Sequence, residues 1–180
     1  MYGYSGKKSR YISERRNILP AIPCLPDAAS IRILDLLQEN CEISNNDLAT
    51  MIGISASPCW RRLNDMKTQG IIQRSVAIVD PLALGLAVNV FVHVSLTHQD
   101  RQSLEIFDNA VRNRPEVMEC YLMSGESDYM LRVVAEDLIK FQELMIDFLT
   151  KIPVVSNIRS SFALSQVKYT TALPTGHLNR

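Results

Sequence analysis

The hydrophobic positions of this chain follow two different periods. Between about residues 27 and 70 they recur every three or four residues, which is the spacing of helices with one buried face. After residue 87, runs in which apolar and polar residues alternate are typical of strands, and further helical stretches separate them. The pattern predicts a helical head over residues 26–80 and a mixed α+β part over residues 87–173, with a linker over residues 81–86 between them.

Capping residues bound the first two predicted helices. Asp27 can cap a first helix that stops at Asn40, a residue that tolerates the left-handed conformation. Ser44, with an acidic residue three positions later, can open a second helix, and Gly53 then ends it. The residues expected on the inward side of the second helix are Leu48, Met51 and Ile52.

The third helix is the one that we expect to be presented for contact. It begins at Ser55 or Ser57, and Pro58 is tolerated in its first turn because a free N–H would have no partner there. Cys59, Leu63 and Met66 turn inward, and Gly70 ends the helix. The residues on or beside the outer face are Trp60, Arg61, Asn64 and Lys67. This arrangement is typical of a helix-turn-helix whose second helix enters a DNA major groove. A helix pair of an ordinary all-α domain, with the arginines on a solvated face, is the alternative.

Two segments flank the three helices. Alternation between residues 71 and 81 predicts a short two-stranded ribbon, or wing, with Arg74 near its tip. Residues 1–25 are predicted to be a flexible basic arm, which is either an inert leader or a segment that contacts phosphates.

The second part has the element order βαββαβ. A strand with alternating valines begins at Val88, a helix follows and ends at Pro115, and two strands form a hairpin around residues 124–127. A second helix runs to Pro153, and residues 158–167 supply the last strand before a tail over residues 174–180. This order predicts a ferredoxin-like sandwich, a four-stranded antiparallel sheet with both helices on one face. The other face keeps apolar residues, which predicts association with a second copy.

Charge and cysteine usage narrow the function classes. Net charge is zero, but residues 1–80 hold 10 basic and 8 acidic residues, whereas residues 81–180 hold 9 and 11. A single copy should therefore bind DNA weakly, and an assembly would sum several basic faces. The four cysteines are widely spaced and have no metal-ligand pattern, so we expect reduced, mostly buried thiols of a cytoplasmic protein, with no metal and no cofactor. No signal peptide or membrane span is predicted.

An enzyme is the less favoured class. A sandwich of this kind could use His93, Glu126, Asp128 or Tyr129, but no nucleophile–base pair, phosphate loop or metal-ligand spacing accompanies them. His93, in the first strand, is interpreted as a packed or sheet-face histidine.

Long segments of the chain resemble the Lrp/AsnC family of transcriptional regulators, the leucine-responsive or feast/famine proteins, from about Leu25 to Leu173. The matching segments read ILDLLQEN, ISNNDLA, GISASPCWRRL, QGII, AIVDPLALG, PEVMECYLMSGESDY, IPVVSNIRSSFAL and QVK. The resemblance implies a winged helix-turn-helix head and a C-terminal RAM domain that binds an effector. It also implies double-stranded DNA as a partner, dimers that assemble into octamers or similar discs, and an amino acid or related metabolite as effector.

The resemblance also assigns site residues. Those that match the recognition helix and its surroundings are Ser55, Ser57, Pro58, Trp60, Arg61, Arg62, Asn64, Lys67 and Arg74. Arg62 can either contact DNA or tie the head together. Those that match the effector loop and the last strand are Ser124, Gly125, Glu126, Ser127, Asp128, Tyr129 and Ser160. Departures from the family pattern are Ile158 in place of a second hydroxyl residue, Val154 in place of a glycine and Ser30 in place of an acidic residue. A ligand-sensing or partner-binding RAM module whose head no longer reads DNA is the alternative.

Overall fold

The computed structural model describes residues 26–178. These residues form two compact units, a head unit of residues 26–76 with 170–178 and a sandwich unit of residues 77–169. The predicted arm over residues 1–25 and the last two residues of the tail lie outside the described residues. The limits of the linker and of the two domains given above stay predictions.

The described residues of the head unit form three α-helices, α1 at Ala28–Glu39, α2 at Asn45–Ile52 and α3 at Ala56–Thr68, and a 3₁₀ turn at Gly176–Leu178. As predicted, Asp27 caps α1 by accepting a hydrogen bond from the Ser30 N–H, and Ser44 caps α2 by accepting one from the Asp47 N–H. The buried apolar residues that the helices bring together are Ile33, Leu48, Ala49, Ile52, Cys59 and Met66.

Two details of the head differ from the predictions. Met51 is exposed, because Leu48, Ala49 and Ile52 fill the inward side of α2 and Met51 lies about 100° of helix rotation away from their centre. Asn40 is extended, with φ of −146°, and not left-handed. Its side chain instead accepts a hydrogen bond from the Glu42 N–H, which forms the turn without positive φ.

The predicted ribbon after the third helix is not formed. Within the part of the chain that the structure describes, no strand lies between α3 and residue 88. Residues 73–80 are irregular, and Val76, Ile78 and Val79 are exposed. A segment with strand-like alternation needs a partner for its backbone N–H and C=O groups, and none is provided within the described residues.

The sandwich unit has the predicted topology. Its strands are β1 at Val88–Leu96, β2 at Val117–Leu122, β3 at Tyr129–Ala135 and β4 at Val155–Phe162, in the antiparallel order β2-β3-β1-β4. Its helices are α4 at Arg101–Val111 and α5 at Leu138–Asp147. Helix α5 ends earlier than predicted, because a 3₁₀ turn at Leu149–Lys151 precedes Pro153. Strand β4 begins and ends earlier than the predicted range of residues 158–167.

The two helices of the sandwich unit pack on one face of the sheet. Val90, Val92 and Val94 are fully buried in one apolar core with residues of α4 and α5, so both helices lie on that face. Because directly opposite residues of antiparallel strands share a face, Phe91, Met130 and Tyr121 lie on the other, open face. No helix within residues 77–169 covers that face, so for these residues the expectation of a sheet with one bare, partly apolar face is confirmed.

Among the cysteines that the structure describes, Cys59 is buried, whereas Cys41 and Cys120 are exposed and free. The expectation of buried thiols therefore holds for Cys59 and is wrong for Cys41 and Cys120. In the described range, no helix is both long and apolar enough to cross a bilayer.

Candidate DNA-binding surface and effector site

A rigid turn sets the direction of α3. Gly53 adopts φ of +77°, a conformation that costs little only for glycine, and its N–H donates to the carbonyls of Ala49 and Thr50. The side chain of Asn45 crosses the turn and donates from Nδ2 to the Ala56 carbonyl at 3.0 Å. Helix α2 therefore holds the first residue of α3 directly.

The outer side of α3 is polar and mainly basic, with the exposed Asp65 at its border. Ser57, Arg61, Asn64 and Lys67 lie on it, and Trp60 is 58% exposed. These residues recur at spacings of three and four, so they share one side of the helix, whereas Cys59 and Met66 lie on the other. The predicted outer and inner faces of the helix are both confirmed.

The remaining residues assigned to DNA lie around this surface. Ser55 precedes α3 as its N-cap residue without making a side-chain capping bond, and Pro58 is half-buried in the first turn. Arg74 is exposed in the irregular segment after α3. Within residues 26–178, Arg61, Lys67 and Arg74 have no carboxylate partner. No carboxylate of the described residues therefore neutralises these three charges.

Arg62 is engaged within the head. Its Nη2 donates to Asp27 Oδ2 at 2.8 Å, and its Nε donates to the same carboxylate at 3.2 Å. The hydrogen bond from Arg62, together with those from Ser30, holds the pKa of Asp27 well below its usual range. The same carboxylate caps α1, so this ion pair joins α3 to the start of α1. The sequence left two alternatives for Arg62, contact with DNA or a structural role within the head. The bonds to Asp27 support the structural role.

Acid should weaken this ion pair. The folded-state pKa of Asp27 is depressed, so its stabilising contribution is present above about pH 4, the ordinary aspartate pKa, and is lost as pH falls through the folded value. Asp27→Asn keeps a capping side chain but removes the charge. We expect this variant to lose up to about 1 kcal/mol of unfolding free energy at pH 6, because the pair is partly exposed, and the difference to shrink toward pH 2. Denaturant unfolding at several pH values measures this, and a difference independent of pH would contradict it.

The loop between β2 and β3 carries a polar cluster on the open face of the sheet. Ser124, Gly125 and Glu126 are exposed, and Gly125 has φ of +154° with no atom within 4 Å of the point that a Cβ would occupy, so conformation and not space favours glycine there. Glu126 Oε2 accepts a hydrogen bond from Arg159 Nη2 on β4 at 3.0 Å. Ser127 Oγ lies 3.3 Å from His93 Nδ1 on β1. Three elements therefore meet in this cluster.

The two residues that follow in the chain are engaged inside the sandwich unit. Asp128 is buried; its Oδ2 accepts from the Leu96 N–H at 2.7 Å and its Oδ1 accepts from Gln99 Nε2 at 2.6 Å. Tyr129 is 2% exposed, packs against Phe107 and donates its hydroxyl hydrogen to Asp108 at 2.7 Å. Of the two carboxylates that the resemblance assigns to the effector loop, Glu126 is therefore the one that reaches solvent.

Ser160 lies apart from this polar cluster. It is directly opposite Val92, so it belongs to the helix-covered side of the sheet, at the exposed edge strand. Arg159, its neighbour, is directly opposite His93 on the open face. Sequence reasoning did not single out Arg159; the alternation of β4 was the signal that could have placed it beside the loop.

Comparison with known proteins agrees with this architecture. Residues 26–73 match the family described as winged helix-turn-helix DNA-binding, and residues 89–173 match the Lrp/AsnC ligand binding domain. The chain belongs to the Lrp/AsnC family of transcriptional regulators. The head and the sandwich unit are thus its helix-turn-helix and ligand-binding domains, and the resemblance inferred from the sequence is confirmed.

Several members of the Lrp/AsnC family are similar to this chain over most of their length. The DNA-binding transcriptional activator DecR of Escherichia coli is 35% identical over 82% of this chain and 97% of its own. The Bkd operon transcriptional regulator of Pseudomonas aeruginosa is 38% identical over the same shares. A transcriptional regulator from Neisseria meningitidis, solved as a complex with L-methionine, is 36% identical and superimposes with a TM-score of 0.81 over 84% of this chain and 98% of its own.

Proposed function

We propose that this protein is a sequence-specific transcriptional regulator that acts in the cytoplasm and reads operator DNA with the outer side of α3. The observation that carries this proposal is the exposed row of Ser57, Trp60, Arg61, Asn64 and Lys67 on that side. Arg61 suits the acceptors of a guanine edge, Asn64 suits an adenine edge, and Lys67 suits a phosphate. Trp60 adds apolar surface that can contact the edges of the bases.

The arrangement of the apolar residues supports action as a homo-oligomer. The open face of the sheet carries Phe91, Met130 and Tyr121 with no helix of the described residues over it, so pairing of two copies through this face would bury them. A dimer presents two copies of α3, which bind two half-sites about 34 Å apart or a multiple of that distance. Dimers would assemble further, to an octamer or a similar disc.

The loop of residues 124–127 supports an amino acid or a related metabolite as effector. A zwitterion needs donors for its carboxylate and an acceptor for its ammonium. The backbone N–H groups of the glycine turn and Arg159 can supply the former, and Glu126 can supply the latter. The related regulator from Neisseria meningitidis was solved with L-methionine, which makes this amino acid the first ligand to test.

Glu126→Gln should weaken effector binding. The substitution keeps the size of the side chain but removes the charge that a ligand ammonium would meet, so we expect L-methionine affinity, measured by calorimetry, to fall by about 10- to 100-fold. Glu143→Gln is the control, because Glu143 is likewise exposed and paired with a cation on α5. Unchanged affinity in Glu126→Gln would contradict the assignment, and no binding by the wild-type protein would exclude L-methionine.

Selection of genomic fragments by the purified protein tests the function as a whole. We expect a small set of roughly palindromic fragments to be enriched, with affinity that falls steeply as salt rises. Sedimentation of the same protein, with and without L-methionine, tests whether assembly and DNA binding change together. Binding without any sequence preference would contradict sequence-specific regulation and favour a sensing module whose head does not read DNA.

A further inference from the structure

The C-terminal segment of the chain lies on the first helix of the head. The Leu173 N–H donates to Gln38 Oε1 at 2.7 Å, and the Leu173 carbonyl accepts from Gln38 Nε2 at 3.1 Å. Two residues further on, the Thr175 hydroxyl donates to Asp35 Oδ1 at 2.7 Å. These bonds join residues that are 135 to 140 positions apart in the chain. The contact is therefore a tertiary one and not a local turn.

The residues of α1 that the segment contacts share one side of the helix. Ile31, Asp35 and Gln38 stand at i, i+4 and i+7, so they share a face. Leu173 bonds to Gln38 and Thr175 bonds to Asp35, so the segment runs antiparallel to α1 at these points. Ile31 is 3% exposed although it lies outside the apolar core of the head, and Leu178 at the end of the segment is half-buried.

The segment carries its own local structure. The Ala172 N–H donates to Thr170 Oγ1 at 3.1 Å, Pro174 fixes one φ angle, and the Leu178 N–H donates to the Thr175 carbonyl at 2.8 Å. Restraints of this kind reduce the conformational entropy that docking costs. Both hydrogen bonds of Gln38 to Leu173 involve backbone groups of Leu173. These two bonds therefore do not depend on the identity of the side chain at position 173.

We propose that residues 170–178 are a C-terminal strap that docks on the Ile31, Asp35 and Gln38 face of α1 and controls the freedom of the DNA-reading head. The chain passes between the two units twice, at residues 76–77 and 169–170, and the strap fixes the head end of the second passage. It follows β4, the strand that carries the Arg159 partner of Glu126. Residues 163–169 connect β4 to the strap, and the strap is the point at which this connection is hydrogen-bonded to α1. The part of this inference that concerns DNA rests on the proposed function.

Hydrogen–deuterium exchange of the full chain, followed by mass spectrometry, tests the docking. The Leu173 N–H is bonded to Gln38 Oε1, so exchange in peptides that cover residues 170–178 follows the population of undocked strap. Gln38→Ala removes two hydrogen bonds, so we expect these peptides to exchange about tenfold faster than in the wild-type protein, and Thr175→Val to give about a threefold increase. Gln142→Ala, an exposed glutamine of α5, is the matched control and should leave the rate unchanged. Equal rates in all four proteins would overturn the docking.

DNA affinity tests the control of the head. Gln38 lies on α1, away from the outer side of α3, so its replacement removes no DNA contact. A freed head loses more orientational freedom on binding, and we expect Gln38→Ala to bind selected operator fragments about three- to tenfold more weakly than wild type or Gln142→Ala. Faster exchange with unchanged DNA affinity would overturn the regulatory role. If the wild-type protein binds no DNA, the proposed function fails, while the exchange rates still decide the docking.

Discussion

Arg61→Ala is expected to weaken operator binding by about 10- to 100-fold. Arg61 is exposed in the middle of the outer side of α3 and has no carboxylate partner within residues 26–178, so it can make a bidentate contact with a guanine edge or neutralise a phosphate. A base contact of this kind is worth about 1–3 kcal/mol, and its loss should also relax specificity at one position of the site. Band-shift titration on the selected fragments measures both effects.

The matched control for that experiment is Arg101→Ala. Arg101 is 89% exposed at the start of α4 in the sandwich unit, so its loss changes net charge equally without touching α3. Affinity of Arg101→Ala should stay within about twofold of wild type at moderate salt. If both variants weaken binding equally, the effect reflects net charge, and the assignment of α3 as the reading helix is wrong.

Phe107→Ala is expected to destabilise the sandwich unit by about 3–5 kcal/mol, the cost of an unfilled aromatic site in a packed core. Phe107 is fully buried on α4, and its ring centroid lies 4.4 Å from that of Tyr129 on β3. The loss also removes a packing partner of Tyr129, whose hydroxyl is hydrogen-bonded to Asp108. Denaturant unfolding followed by circular dichroism gives the change in unfolding free energy.

The control for Phe107→Ala is its neighbour in the helix. Ile106 is 39% exposed, so Ile106→Ala should cost about 1 kcal/mol or less. A similar, small loss in both variants would mean that the face of α4 toward the sheet is not the core that the structure shows.

Features that depend on local chemistry were predictable from the sequence. The caps at Asp27 and Ser44, the helix end at Gly53 and the alternation of β1 each follow from a few adjacent residues, and the structure has all of them. The order of the elements then restricted the sandwich to one topology. The prediction of a ribbon after α3 was wrong, because alternation indicates only that a segment can pair and not that a partner strand exists.

The roles of individual polar side chains were less predictable. Asp128 and Glu126 are carboxylates two positions apart. Asp128 is buried and accepts a hydrogen bond from the end of β1, whereas Glu126 reaches solvent. Arg61 and Arg62 are adjacent, yet one is exposed and the other is paired with Asp27. These differences depend on neighbours that are distant in the chain. No pattern in the sequence indicates the contact between Gln38 and Leu173.

The buried carboxylate at the end of the loop of residues 124–127 has a consequence for how this loop can change. Asp128 anchors the loop to β1 at the Leu96 N–H, and the Met123 N–H donates to the Asp128 carbonyl at 2.8 Å, so both ends of the four intervening residues are held. Residues 124–127 contribute little to the core and can be exchanged while their frame stays in place. Under the proposed effector assignment, ligand preference can therefore change by replacement of these four residues, at little cost to folding.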